Sequence, residues 1–162
     1  MGEVRFLYFH LMGEPFLHPL LPQFILMARQ KGFVPVLTTN GTLLSQRTDL
    51  LDVLPHKLQI SLHSHEGNGK DHLDQYIDEV MVFAKEAARR GCVVVLRLWN
   101  EGGHNLMNEA IRDRIALHQP RPWVSRYDGW KLGENLFLEN DNMFEWPDLD
   151  HDVYAEEEVF CY

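Results

Sequence analysis

The hydrophobic and polar positions of this chain alternate between two periods. Short β-rich runs, Val4 to Leu11, Val34 to Thr39, Leu58 to His63 and Val93 to Leu98, are separated by stretches whose apolar residues recur every three or four positions. Leu21, Phe24, Ile25 and Ala28 put one apolar face on a helix from Leu21 to Gln30. Lys31-Gly32 stops it, because glycine takes the left-handed cap at little cost. Ser45 suits the N-cap of a helix through Leu54, which Pro55 terminates. Asp71 is placed to cap the most regular helix, with Leu73, Tyr76, Ile77, Val80, Phe83, Ala84 and Ala87 apolar and Gly91 at its end. A further helix is expected from about Asn105 to Leu117, closed by Gln119-Pro120. Beyond it the pattern weakens: Leu136 to Leu138 reads as a last short strand and the remainder as irregular and acidic.

Strand and helix alternate about four times with no hairpin signal between strands. This predicts an α/β fold with a parallel sheet, each crossover a right-handed βαβ unit. In barrels and open parallel sheets the carboxyl ends of the strands carry the chemistry. Here the polar, glycine-rich and histidine-rich segments all follow strand ends. The first strand begins almost at Met1, and Val159-Phe160-Cys161-Tyr162 ends the chain on an apolar pattern. The expectation is a partial domain whose first strand has an unpaired edge.

Composition narrows the function classes. The 162 residues are 45% hydrophobic and 24% charged, which suits one ordinary domain with a real core and not a disordered chain. No apolar run approaches the roughly 20 residues that span a bilayer. Met1 to Arg5 does not open a signal peptide, so no membrane association is expected. The net charge of -9, with acid crowded from Glu139 to Glu158, argues against a nucleic-acid partner, whose counterion release needs Lys and Arg. Two cysteines, Cys92 and Cys161, are too few for a disulfide framework, and a reducing, cytoplasmic setting is expected. Cys92 opens the run Cys-Val-Val-Val-Leu and reads as a small hydrophobe.

Four constellations at strand ends carry candidate chemistry. In Gly13-Glu14-Pro15 the glycine permits an irregular backbone and the proline stops further pairing, so strand-end carbonyls are exposed to an ammonium donor. A strand-to-helix turn without a ligand would use the same residues. Thr38-Thr39-Asn40-Gly41-Thr42 offers hydroxyls and an amide, although Asn-Gly is also common turn chemistry. With period two, Ser61, His63 and His65 share one side of the third strand, with Ser64 between them. Arg97 interrupts an apolar strand, and a buried arginine requires an anion from the protein or from a ligand.

The order of these motifs, Gly-Glu-Pro, then Thr-Thr-Asn-Gly-Thr-Leu-Leu, then Ile-Ser-Leu-His-Ser, resembles the radical S-adenosylmethionine (SAM) family. It is most similar to members with a C-terminal SPASM domain. Phe144-Glu145-Trp146-Pro147-Asp148-Leu149 and Phe160-Cys161-Tyr162 resemble the hand-over to that domain. The resemblance implies a partial TIM-type (β/α)6 barrel, here truncated to about strands 2 to 6. Residues 1–150 would be an incomplete core and 151–162 the start of the SPASM linker. It implies an oxidoreductase that cleaves SAM reductively at a 4Fe-4S cluster, yielding a 5′-deoxyadenosyl radical for hydrogen abstraction. The implied partners are a peptide or protein substrate and a reductant such as flavodoxin or ferredoxin. Gly13, Glu14 and Pro15 would bind the SAM amino group; Ser61, with His63 and Ser64, its ribose or carboxylate. Thr39 and Asn40 would line the same cavity, and Arg97 would pair with the SAM carboxylate or with substrate. Cys161 matches an auxiliary-cluster ligand. The family's CxxxCxxC loop is missing, so this chain alone is expected neither to hold the cluster nor to cleave SAM.

Two other classes share these residues. A barrel-type zinc hydrolase would draw on the nine histidines, with His10, His63 and His65 as ligands. A non-catalytic remnant or binding module would keep the fold alone.

Overall fold

The computed structural model describes residues 5–9, 13–63, 72–103 and 105–142. Its strands are β1 (Arg5–Phe9), β2 (Phe33–Thr39), β3 (Lys57–Ser61), β4 (Val93–Glu101), β5 (Val124–Arg126), β6 (Gly129–Gly133) and β7 (Leu136–Asn142). Its helices are α1 (Leu21–Gln30), α2 (Leu73–Arg89) and α3 (Asn108–His118). They build a seven-stranded sheet in the order β1-β2-β3-β4-β7-β6-β5. The first four strands are parallel neighbours in sequence order, and β7 extends the parallel set beside β4. Right-handed crossovers between strands in unbroken order place their helices on a single face of a sheet.

Pleat and register show the consequence. Leu37, Leu58, Ile60, Val94, Leu96, Leu98, Leu136 and Leu138 occupy one face and join one core with Leu21 and Ile25 of α1, Ile77, Val80 and Met81 of α2, and Ile111 and Ile115 of α3. Fully burying each such side chain stabilises by about 1.5–3 kcal/mol relative to exposure. The opposite face carries Thr38, Gln59, Ser61, Arg97, Trp99, Phe137, Glu139 and Asp141 in adjoining register. A bond from the Thr38 hydroxyl to Gln59 Oε1 (3.0 Å) runs across it.

The expected parallel sheet is corrected in one respect: β5-β6-β7 is an antiparallel meander, so the sheet is mixed. Its turns are two residues long: Tyr127-Asp128 leads into Gly129, and Glu134-Asn135 carries Asn135 at φ 56°. Among the described residues β1 and β5 are the sheet's edges and no pairing joins them. The helix expected from Ser45 to Leu54 is also absent. Two 3₁₀ turns, Leu44–Gln46 and Thr48–Asp52, take its place, and Ser45 caps nothing. Arg47 breaks the run at φ -120°, ψ 43°, because its guanidinium binds the Phe16 and His18 carbonyls and Asp49. Leu44, Leu50 and Leu54 still reach the core from this irregular path. The strand expected to His63 ends at Ser61, with Leu62 and His63 in a 3₁₀ turn that buries Leu62. α2 starts after His72; the expected Asp71 cap lies outside the described residues.

Candidate functional site

The parallel register of β1 to β4 brings three strand ends and the middle of the longer β4 to one rim. Gly13 follows β1, Asn40 follows β2, Ser61 ends β3, and Arg97, midway along β4, is the register partner of Ser61.

At the first strand end Gly13 sits at φ 93°, a conformation that favours glycine, and Pro15 opens a 3₁₀ turn through Leu17. Glu14 caps that turn. Its Oε1 accepts hydrogen bonds from the Phe16 amide (3.0 Å) and the Thr39 hydroxyl (2.7 Å), and its Oε2 accepts from the Asn40 amide (2.8 Å). The carboxylate therefore joins the first strand end to the second. An open cleft of about 500 Å³ runs beside the turn, walled by Phe9, Gly13, Glu14, Pro15, Leu17 and Phe24.

At the second strand end the pleat turns Thr39 toward the helices, where it is buried and also accepts from the Gly41 amide (3.1 Å). Asn40 folds back: its Oδ1 accepts from the amide (3.0 Å) and hydroxyl (2.7 Å) of Thr42, and its carbonyl accepts from the Tyr76 hydroxyl (2.6 Å). Both residues thus shape the rim, while Thr38 and Gln59 are the ones whose side chains share the open face with Ser61 and Arg97.

Arg97 stacks 3.6 Å over the Trp99 ring, and its Nε is buried without a hydrogen-bond partner among the described residues. Burial pulls its pKa down to about 10, against the opposing pull of Glu139 and Asp141, so it stays charged at neutral pH. Glu139 is its register partner on β7, and burial raises the pKa of that half-buried carboxyl. Among the described residues no salt bridge closes between the two.

His63 does not continue the period-two row of Ser61, because the strand has ended; its Nδ1 lies 3.4 Å from the Trp99 amide, a long contact. His10, Ser64, His65 and Cys161 lie outside the described residues. Among the described residues no three His, Cys, Asp or Glu side chains form a metal-binding group. Cys92 is buried at the opposite end of the sheet, with its thiol pushed up to about 12 by burial. Tyr76, which the helical pattern marks only as a core position, is the rim residue that sequence reasoning misses. No spacing signal distinguishes a buried tyrosine whose hydroxyl reaches a loop carbonyl. No described helix is long and apolar enough to cross a membrane.

The fold and rim define an α/β protein with a mostly parallel sheet, helices on one face and a polar carboxyl edge on the other. No protein-family model matches the sequence, and no curated protein matches it. Two solved structures are similar at low level: TYW1 with a lysine-pyruvate adduct bound, at 21% identity and TM-score 0.48, and archaeal TYW1, at 23% and 0.47. The likeness covers 68% of this chain in both, and 38% and 39% of those chains, so this chain spans well under half their length. Likeness of this degree bears on neither residue roles nor chemistry.

Proposed function

We propose that this chain is part of the core of a radical SAM enzyme and that its carboxyl rim holds SAM. The observation that carries the reading is Arg97, a half-buried arginine whose buried Nε has no hydrogen-bond partner among the described residues, beside Ser61 on the rim shared by Gly13 and Asn40. A desolvated arginine is stable when an anion meets it, and the methionine carboxylate of SAM is such an anion. The carbonyls at Gly13 to Pro15 would accept from the methionine ammonium, and the Ser61 hydroxyl would meet the ribose. Glu14, Thr39 and Asn40 hold the rim in shape through the bonds described above. In such enzymes SAM, cleaved reductively at a 4Fe-4S cluster, supplies the radical that abstracts a substrate hydrogen.

The described residues do not fit the cluster itself. Cluster irons need several thiolates, and the one described cysteine, Cys92, is buried away from the rim with a pKa of about 12. The role assigned to this chain is therefore to bind and orient SAM. A peptide or protein substrate and a flavodoxin or ferredoxin reductant belong to the complete enzyme, with residues 1–150 as core and 151–162 leading toward a SPASM region.

Side-chain NMR of Arg97 tests the reading and reaches weak binding. Added SAM at millimolar concentration is expected to shift the Arg97 Nε–H resonance saturably. Arg97→Ala, followed through the backbone amides of Gly13 and Ser61, is expected to weaken binding about tenfold or more, the scale of a charge-assisted hydrogen bond. An Arg97 resonance indifferent to SAM would remove the assignment.

A further inference from the structure

The two peptide groups that flank Asn40 are each held by a side chain. The Asn40 amide donates to Glu14 Oε2 at 2.8 Å, and the Asn40 carbonyl accepts from the Tyr76 hydroxyl at 2.6 Å. Tyr76 belongs to α2, so this bond reaches across 36 positions of sequence, from the helix layer to the rim. Its ring is in the core, 7% exposed. The next residue, Gly41, takes φ 77°, and a Cβ there would stand 3.1 Å from the Tyr76 oxygen, 3.0 Å from Ile60 Cγ2 and 3.2 Å from Val80 Cγ2. Backbone and phenol are thus in close contact on two consecutive residues. Burial, and secondarily the charge of Glu14, push the phenol well above its ordinary pKa, so it remains a protonated donor across the range in which proteins fold.

A hydrophobic helix position needs no hydroxyl. Phenylalanine would fill the same core volume, whereas a buried tyrosine hydroxyl needs a partner to offset its lost hydration. Here that partner is a loop carbonyl at the candidate ligand rim.

We infer that Tyr76 is a positioning residue: its hydroxyl fixes the Asn40-Gly41 peptide, as Glu14 fixes the adjoining Thr39-Asn40 peptide, in the orientation that the rim presents to its ligand. The inference rests on the SAM-binding reading for the identity of that ligand, but the gripping of the peptide stands independently of it.

Tyr76→Phe in the full chain, compared with Glu14→Gln and the double variant, separates the two. Amide hydrogen exchange at Asn40 and Gly41 is expected to quicken several-fold in Tyr76→Phe, about the factor carried by one hydrogen bond, while exchange in the middle of α2 stays unchanged. The two substitutions are expected to be non-additive at these amides, because they act on the two peptide groups joined at Asn40. A purely structural tyrosine would instead lower global stability and leave local exchange in proportion. If Tyr76→Phe does not fold, 3-fluorotyrosine at position 76 is the second variant. Its more acidic hydroxyl is a stronger donor, and it should slow exchange at Asn40. For the ligand, SAM is the probe, read by the Arg97 resonance: Tyr76→Phe is expected to weaken its binding several-fold. Unchanged local exchange in Tyr76→Phe, or strictly additive behaviour, overturns the positioning role. Wild-type protein that ignores SAM overturns the SAM reading, and the exchange result then still decides the role of Tyr76. Wild-type protein that binds SAM with a Tyr76→Phe affinity equal to its own refutes the link to the ligand.

Discussion

Two glycines show how narrowly single residues constrain this molecule. Gly41 combines a left-handed backbone with a Cβ position already crowded by Ile60, Tyr76 and Val80. Gly41→Ala is expected to cost about 1–3 kcal/mol, the scale of a residue held in a sparsely populated backbone region, with denaturant unfolding as the measure. Gly129 is more restrictive, since a Cβ there would lie 2.1 Å from the Leu138 carbonyl oxygen. Gly129→Ala is therefore expected to disrupt the pairing of β6 with β7, visible as lost amide protection in both strands. The same scale shows what could be read from the chain beforehand. The order of strand-end motifs placed Gly13, Asn40, Ser61 and Arg97 on one rim, because parallel topology sends every strand end to the same edge. What each side chain does there depended on the pleat. Thr39 points into the core, Thr38 and Gln59 point to the open face, and Glu14 bonds three backbone or hydroxyl donors. None of these orientations can be taken from the motifs alone, since adjacent residues at a strand end differ by half a pleat period.

At the scale of elements, α2 and α3 are joined by an ionic clasp as well as by apolar packing. Asp78 takes hydrogen bonds from Arg114 and lies 2.7 Å from His118 Nε2, while Arg114 also reaches Asp74. Bonding to Arg114, then to His118, holds the Asp78 carboxyl down to about 2, below its usual 3.8. A carboxyl with a lowered folded-state pKa contributes stability that is fully present above its unfolded value and lost as pH falls through the folded one. The clasp should therefore be intact above about pH 4 and fade toward pH 2. With Asp78 about a third exposed, the contribution is modest. The check is the melting temperature from pH 5 to pH 2: Asp78→Asn should flatten the part of the acid dependence that lies in this window. The helices themselves follow from their patterns; α1 spans the expected Leu21–Gln30, and α2 buries the expected apolar stripe. The segment after Ser45 did not, because periodic leucines within a run of Gln, Arg, Thr and Asp support a helix weakly. Arg47 finds better partners in the carbonyls of the first loop. The meander β5-β6-β7 was hidden for another reason. Its strands are short and carry Arg126, Lys131, Glu139 and Asp141, so apolar periodicity is faint. Asp128-Gly129 and Asn135 are the turn residues that the reading by apolar period passes over.

At the scale of the whole molecule, the sheet has two edges of unequal character. β5 is three residues long, carries Ser125 and Arg126, and follows Pro120 and Pro122, features that discourage pairing with another strand. β1 is five residues, Arg5-Phe6-Leu7-Tyr8-Phe9, paired to β2 on one side only among the described residues. Phe6 and Tyr8 are 50% and 40% exposed on the open face, and Leu7 is 37% exposed on the other. An unpaired, apolar, β-prone edge offers backbone donors and acceptors together with a hydrophobic surface, the combination that recruits further strands. The protein is therefore expected to associate with rising concentration, measurable by sedimentation velocity over a dilution series. Leu7→Lys places a charge on the edge, the device by which natural edge strands resist pairing, and should return the protein to monomer. Because Leu7 is already partly exposed, this change should leave the melting temperature of the monomer nearly unaltered, which separates lost association from lost folding. A wild-type chain that stays monomeric at every concentration would show that the β1 edge is inert. The Leu7→Lys comparison would then have nothing to relieve, and the self-pairing surface would have to be withdrawn.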